Sequence, residues 1–230
     1  MENTDSRQEH GTSWYRERTD YLTQFMLPER LNTLLRVLDM RTRWMTVCME
    51  NTFHSQNASA IIRTCEAFGI QDIHTVETLC PFSPNADVVK GSDKWIDICR
   101  HADTSEAIAS FRKAGYRIIA TTPHSGDISP EAFDVTASPF VVFFGTEHAG
   151  VSDEVIAAAD GFLRIPMCGF VESLNVSASA SIVLYMLSQK LHGSAAAWRL
   201  GECERQRLLL EWMTKSIRGA ETILDMHFPQ

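Results

Sequence analysis

Three segments of the chain carry side chains that could do chemistry, each on a turn after an apolar run. NASAIIR, from residue 57, sets Asn57 at a helix start with Arg63 further along. Free N–H groups at such a start, together with a guanidinium, can hold an anion. GTEHAGVS, from residue 145, has the G-x-x-x-x-G spacing of a phosphate loop, but Val151 stands where the phosphate-binding lysine would be. Glu147 adds a carboxylate that would repel a triphosphate, so this turn suits a neutral or cationic ligand approached closely by backbone. IPMCGFVESLNVSASASIVLY, residues 165–185, starts like a strand, ends like a helix and fills its middle with Ser, Asn and Ala. On the residues alone, a plain helix cap at Asn57, a solvated Arg63 and an ordinary glycine-rich turn remain open readings, the first two being the commoner use of such residues. The turn NTFHSQ, after the first apolar run, holds no glycine. That argues against a dinucleotide fingerprint, and so against an oxidoreductase.

These segments need a scaffold, and the hydrophobic pattern supplies one. MTVCME (45–50), IQDIHTVE, KWIDICRH, YRIIATTP, PFVVFFG and GFLRIPM read as strands. Between them, NASAIIRTCEAFG (57–69) reads as a helix with Asn57 as N-cap and Gly69 as terminator. DTSEAIASFRKAG opens with a capping box at Asp103 and Glu106 and closes at Gly115. A short helix is expected at DEVIAAAD and a long one from Ser173 to about His192. Continuous apolar strands such as FVVFF predict an α/β fold, a three-layer parallel sheet covered on both faces, over residues 45–193. Ligands of such sheets sit beyond the C-terminal strand ends, where the three segments fall. Residues 1–44 read as a disordered polar tail and an Arg-rich helix from Pro28 to about Arg43, with Leu31, Leu34, Leu35 and Leu38 as its apolar stripe. Residues 194–230 read as a helical extension with one last helix, CERQRLLLEWMTKSIRGAETILDMH.

The net charge of −8 argues against a protein that coats nucleic acid indiscriminately. Charge is uneven, however: Arg30, Arg36, Arg41 and Arg43 face the single acid Asp39 across residues 30–43. Such a run is either a solvated helix face or a local phosphate-binding, RNA-facing surface. Six cysteines lie scattered with no C-x-x-C pair, which points to reduced thiols in a cytoplasmic protein. No signal-peptide pattern or membrane-length apolar run is present, and the eight histidines show no metal-ligand spacing.

NASAIIRTCEAFG, FFGTEHAGVSDE and IPMCGFVESLNVSASASIVLY, taken in order and with GSDKW between them, resemble the three motifs of the SpoU/TrmH family of RNA ribose 2′-O-methyltransferases, in the SPOUT superfamily. The resemblance runs from about Arg30 to Tyr185. Three agreeing motifs displace the blander readings of Asn57, Arg63 and Glu147. The family implies a deep C-terminal trefoil knot, which connection rules alone would exclude. It also implies S-adenosylmethionine bound in the knot, a homodimer with its active site near the subunit interface, and no metal. Carried over by motif, the cofactor contacts are Thr121, Gly145, Glu147, Ile165 and Leu174, many through backbone. The catalytic candidates are Arg63, Asn57, Glu147, Ser173 and Asn175, with Arg63 either the general base or a stabiliser of the developing alkoxide. Sequence near TVCMEN and SLNVSASA is closest to the tRNA branch, which implies methylation of guanosine 18 in tRNA. A 23S rRNA guanosine and a non-catalytic knotted RNA-binding protein are the alternatives. HSQ before Asn57 departs from that branch, where Lys-Pro-His is common. The small residues after Asn175 are expected where the knot crosses, so that enlarging Ala178 should be tolerated less well than enlarging Val183.

Overall fold

Met45–Glu50 and Phe140–Phe144 are buried at every position, as strands are when a parallel sheet is covered on both faces. They are the central strands β1 and β5 of a six-stranded sheet in a computed structural model that describes residues 10–229 apart from 53, 80–84, 123–126 and 147–148. With β2 (Asp72–Val76), β3 (Asp97–His101), β4 (Arg117–Thr121) and β6 (Gly161–Leu163), the order is β3-β2-β1-β5-β4-β6, every neighbouring pair parallel. Alternation along β1 and β5 splits the core in two. Met45, Val47, Met49, Phe140, Val142 and Phe144 pack with one cluster, Cys48, Val141 and Phe143 with the other. Helices α3 (Ser55–Ala67) and α7 (Val176–His192) supply the first cluster, α5 (Thr104–Lys113) and α6 (Asp153–Ala158) the second. A single-turn helix, α4 (Ala86–Val89), lies between β2 and β3. The expected α/β layering is therefore present.

Helix ends follow local chemistry. Asp103 Oδ1 accepts from Glu106 N–H at 2.8 Å and Glu106 reaches back to the N–H of Ala102 at 2.8 Å, one residue before the expected partner. Gly69, at φ +80°, ends α3 in a Schellman turn: the Ile70 N–H donates to Cys65 O at 3.0 Å and the Gly69 N–H to Glu66 O at 3.2 Å. Two starts differ from expectation. His54 is the N-cap of α3, so Asn57 lies inside its first turn, and α7 begins at Val176, which leaves Ser173 in the preceding loop. Asn175 is the cap there, its Oδ1 accepting from the N–H groups of Ser177 and Ala178. Along α7, Val176, Ala180, Val183, Leu184, Leu187 and Leu191 are buried, while Ala178, Ile182 and Tyr185 are exposed. The expected sensitivity of Ala178 relative to Val183 is thus reversed, because the helical period turns Val183 inward. Ala180, fully buried, and Ser181, whose Oγ lies 3.1 Å from Thr64 Oγ1 of α3, are the small residues that allow close approach.

The chain divides into two compact units: Thr42–Arg199, and the described residues up to Arg41 together with those from Leu200. The second unit holds α1 (Thr12–Leu22), α2 (Pro28–Leu38), α8 (Glu202–Ser216) and α9 (Ala220–His227). The two terminal extensions thus fold together. Helix α1 falls where a disordered tail was expected. Its sparse stripe of Tyr15, Thr19 and Leu22 is buried, and Thr19 Oγ1 bonds Gln206 Oε1 of α8 at 3.1 Å, so packing rather than propensity supports it. Helix α2 ends at Leu38, short of Arg43. The single last helix is broken at Ile217–Gly219, where Gly219 takes φ +73°. Among the described residues no helix is long and apolar enough to cross a membrane.

Candidate active site

Loops after β4, β5 and β6 converge at the C-terminal edge of the sheet around a cleft of about 220 Å³. Thr121 and Thr122 line it from the first loop, Gly145, Thr146, Ala149 and Gly150 from the second, and Ile165, Met167, Ser173 and Leu174 from the third. Main-chain bonds hold the first and third loops together: the N–H of Thr122 donates to Leu163 O at 3.0 Å and that of Arg164 to Ile128 O at 3.0 Å. Thr121 Oγ1 donates to Phe143 O at 2.8 Å and ties the end of β4 to β5. Thr121, Gly145, Ile165 and Leu174 therefore line one cleft. Glu147 lies outside the described residues.

Gly145 explains the glycine spacing. A Cβ there would sit 2.0 Å from Gly150 O, so the two limbs of the turn touch backbone to backbone. They are bridged by Thr146 N–H to Gly150 O at 2.9 Å and Gly150 N–H to Thr146 O at 3.1 Å. Apolar Leu163, Ile165, Leu174, Val176 and Val183 form much of the remaining wall. An apolar cleft edged with main-chain groups fits a nucleoside, whose base needs hydrophobic faces and a few directed hydrogen bonds. Among the described residues it presents a lone cation, Arg164, and no cluster for a polyphosphate.

Asn57 and Asn175 meet beside this cleft, in a polar hollow lined also by His54, Ser55 and Gln56. Asn175 Nδ2 donates to Asn57 Oδ1 at 3.2 Å. Ser177 Oγ, 2.6 Å from Asn175 Oδ1 and 3.3 Å from Asn57 Oδ1, completes a triangle that joins the first and third motifs. Ser177 was missed by sequence reasoning; the N-x-S pattern at a helix start could have found it, since both side chains can bond there. Arg63 behaves differently. Six residues beyond Asn57, it lies about 9 Å further along α3 and about 240° around it. It is exposed, lines neither the cleft nor the hollow, and makes no hydrogen bond or ion pair with the described residues. The expected aim of Asn57 and Arg63 at one point is not met within a single chain.

The arginines expected to face RNA separate into two kinds. Arg30 and Arg36 are exposed on α2. Arg41 is fully buried, its guanidinium 5.2 Å from the Trp212 ring centroid, and Arg43 pairs with Asp72 at 3.3 Å and with Asp97. Those two are committed inside the protein and are withdrawn as RNA contacts. The apparent basic run arose because sequence counts charges without showing which are already neutralised.

The SpoU rRNA Methylase family model matches residues 45–185. A tRNA (guanosine(18)-2′-O)-methyltransferase of Borreliella burgdorferi is 35% identical over 91% of this chain and 96% of its own length. The protein of that name from Thermus thermophilus is 35% identical over 78% and 93%. Among solved structures, the A. aeolicus TrmH/SpoU tRNA modifying enzyme superposes with a TM-score of 0.72 at 31% identity, covering 82% of this chain and 96% of that one. An AdoMet-bound rRNA methyltransferase from Sinorhizobium meliloti gives 0.57 at 29% identity, over 68% and 60%. Spanning both asparagines, the glycine turn and the cleft, the match shows that the chain belongs to the SpoU rRNA methylase family.

Proposed function

We propose that this protein methylates the ribose 2′-hydroxyl of guanosine 18 in tRNA, with S-adenosylmethionine as methyl donor. The observation that carries the reading is the convergence of Thr121, Gly145, Ile165 and Leu174 on one apolar cleft with main-chain edges, beside the Asn57–Asn175 pair. Relatives named for guanosine 18 of tRNA, matched over most of their length, support the choice of RNA. The donor, when bound, supplies a methyl already activated by its sulfonium, so the protein's task is alignment and removal of one proton.

In this reading the glycine turn and the β6 loop hold the nucleoside of the donor and keep water from one side. Asn57 and Asn175, each fixed by the other and by Ser177, orient the ribose. Arg63 stabilises the alkoxide forming at the 2′-oxygen and grips the adjacent phosphate, the proton passing to that phosphate or to water, a role that suits a guanidinium better than proton abstraction does. Glu147 and Ser173 act at the cofactor side.

We further propose a trefoil knot and a homodimer. Support for the knot is the meeting of the loops after β4, β5 and β6, with main-chain bonds between the first and the third. Support for the dimer is the exposure of apolar Phe170, Val171, Ile182 and Tyr185, together with an exposed Arg63 that makes no hydrogen bond or ion pair with the described residues. Separate incubations with labelled S-adenosylmethionine and total tRNA or ribosomal RNA, followed by mapping of the modified nucleotide, test the whole assignment. Label on the 2′-oxygen of guanosine 18 is expected. Label confined to ribosomal RNA would replace the substrate, and no label in any RNA would remove the enzymatic reading.

A further inference from the structure

The last residue of β1 is a charged group that neither the cleft nor the polar hollow uses. Glu50 is only 3% exposed. Met49 pairs with Phe144, the last residue of β5, so Glu50 stands one position further on, level with the start of the glycine turn. Its Oε1 accepts from Thr104 Oγ1 at 2.6 Å and from Ser152 Oγ at 2.7 Å, and its Oε2 accepts from the Ser152 N–H at 2.8 Å. Thr104 opens α5, and Ser152 is the N-cap of α6. One carboxylate therefore serves two helix starts, where the partial positive charge of the backbone favours an anion. Leaving such a group buried without donors would be very unfavourable, and three neutral donors prevent that.

Ser152 also closes the turn that begins at Gly145. Bonds inside the turn, including the Ala149 N–H to Thr146 Oγ1 at 3.0 Å, set its shape but not its place. Its entry is fixed by β5 and its exit by Ser152. Because the limbs touch backbone to backbone at Gly145 and Gly150 and are joined by the two Thr146–Gly150 bonds, a displaced exit carries the cleft wall with it.

We propose that Glu50 is a positioning residue for methyl transfer: by holding Ser152, it sets where the Gly145–Val151 turn meets the cofactor. It acts through Ser152 and touches no ligand. The proposal rests on assigning the cleft to S-adenosylmethionine.

The test uses the full-length protein as wild type, Ser152→Ala, Glu50→Ala and Glu50→Gln. Calorimetric affinity for S-adenosylmethionine, separate KM values for cofactor and tRNA, and melting temperature are measured. Losing bonds to a charged acceptor should raise Kd and KM for the cofactor about tenfold or more in Ser152→Ala and Glu50→Ala, with KM for tRNA changing less than about twofold. Glu50→Gln should recover much of the loss, because its amide oxygen can accept from the Ser152 N–H while both hydroxyls turn to accept from its NH₂. Lower melting temperatures with unchanged cofactor affinity would overturn the proposal, as would equal increases in both KM values. Should Glu50→Ala fail to fold, Ser152→Ala alone decides, since it leaves Glu50 two donors. A wild type that bound no S-adenosylmethionine would overturn the cleft assignment and the proposal together, whereas a loss of effect in the variants alone overturns only the role of Glu50.

Discussion

Within the α/β unit the cleft proposed for the cofactor and the groups proposed to act on RNA are built on opposite plans. Thr121, Gly145, Ile165 and Leu174, far apart in sequence, line the same volume within one chain. The groups that would act on RNA are only partly assembled. Asn57 and Asn175 are bonded to each other, while Arg63 stands exposed on a different face of α3. Recognition by backbone needs correct loop crossings, which a single fold can supply. Stabilising charge on a substrate needs a long, free side chain, whose partner is the substrate itself or, in the dimer proposed above, a second subunit.

The sharpest way to break this contrast is Gly145→Ala. Its Cβ would overlap Gly150 O, and cofactor affinity should fall by about 100-fold or more, since backbone cannot yield as a side-chain tip can. Calorimetry measures this, and retained affinity would mean the turn is not the cofactor wall. Arg63→Ala should do the converse, lowering kcat by about 100-fold while cofactor Kd stays constant. Mixing the two inactive proteins extends the test: if Arg63 serves a partner's cleft, mixed dimers regain part of the activity, and none returns if each chain works alone.

Asn175→Ala touches both halves. Loss of the α7 cap should cost about 1 kcal/mol, a fall of about 2–4 °C in melting temperature for a chain of this size, with kcat also reduced as Asn57 loses its partner. A milder effect concerns pH. Burial, then the neighbouring His74, lower the pKa of His101, against an opposing pull from Glu106; burial and Arg199 lower that of His192. Unfolded histidines near pKa 6.5 therefore bind protons before the folded ones do, so this stability is present above about pH 6.5 and is lost as pH falls toward the folded values. Melting temperature should drop between about pH 7 and 5.5, less steeply in His101→Gln. Smallest of all, Arg36→Ala should weaken tRNA binding about two- to threefold, and less at high salt, as for a single exposed phosphate contact.

Much of the strand pattern was legible because burial on both faces leaves an unmistakable apolar run, as in FVVFF. The caps at Asp103 and the close of α3 at Gly69 were legible because they are local chemistry. Helix α1 was not, since its stability comes from α8, nearly two hundred residues away. Nor could sequence separate Arg36 from Arg41. Both look like surface charges in a run, and only packing shows that Arg41 is enclosed against Trp212.

The sequence by itself determined the α/β alternation, the three motifs and the chemical character of the glycine turn, because each rests on residue types within one helix or loop. Tertiary structure decided which motif residues meet. Thr121, Gly145 and Leu174 share a cleft only because the loops after β4, β5 and β6 end at one edge of a parallel sheet. Asn57 and Asn175 bond only because α3 and α7 cover the same face. Glu50 gained its place from strand register, which set a carboxylate beside the exit of a turn whose two limbs are bonded backbone to backbone.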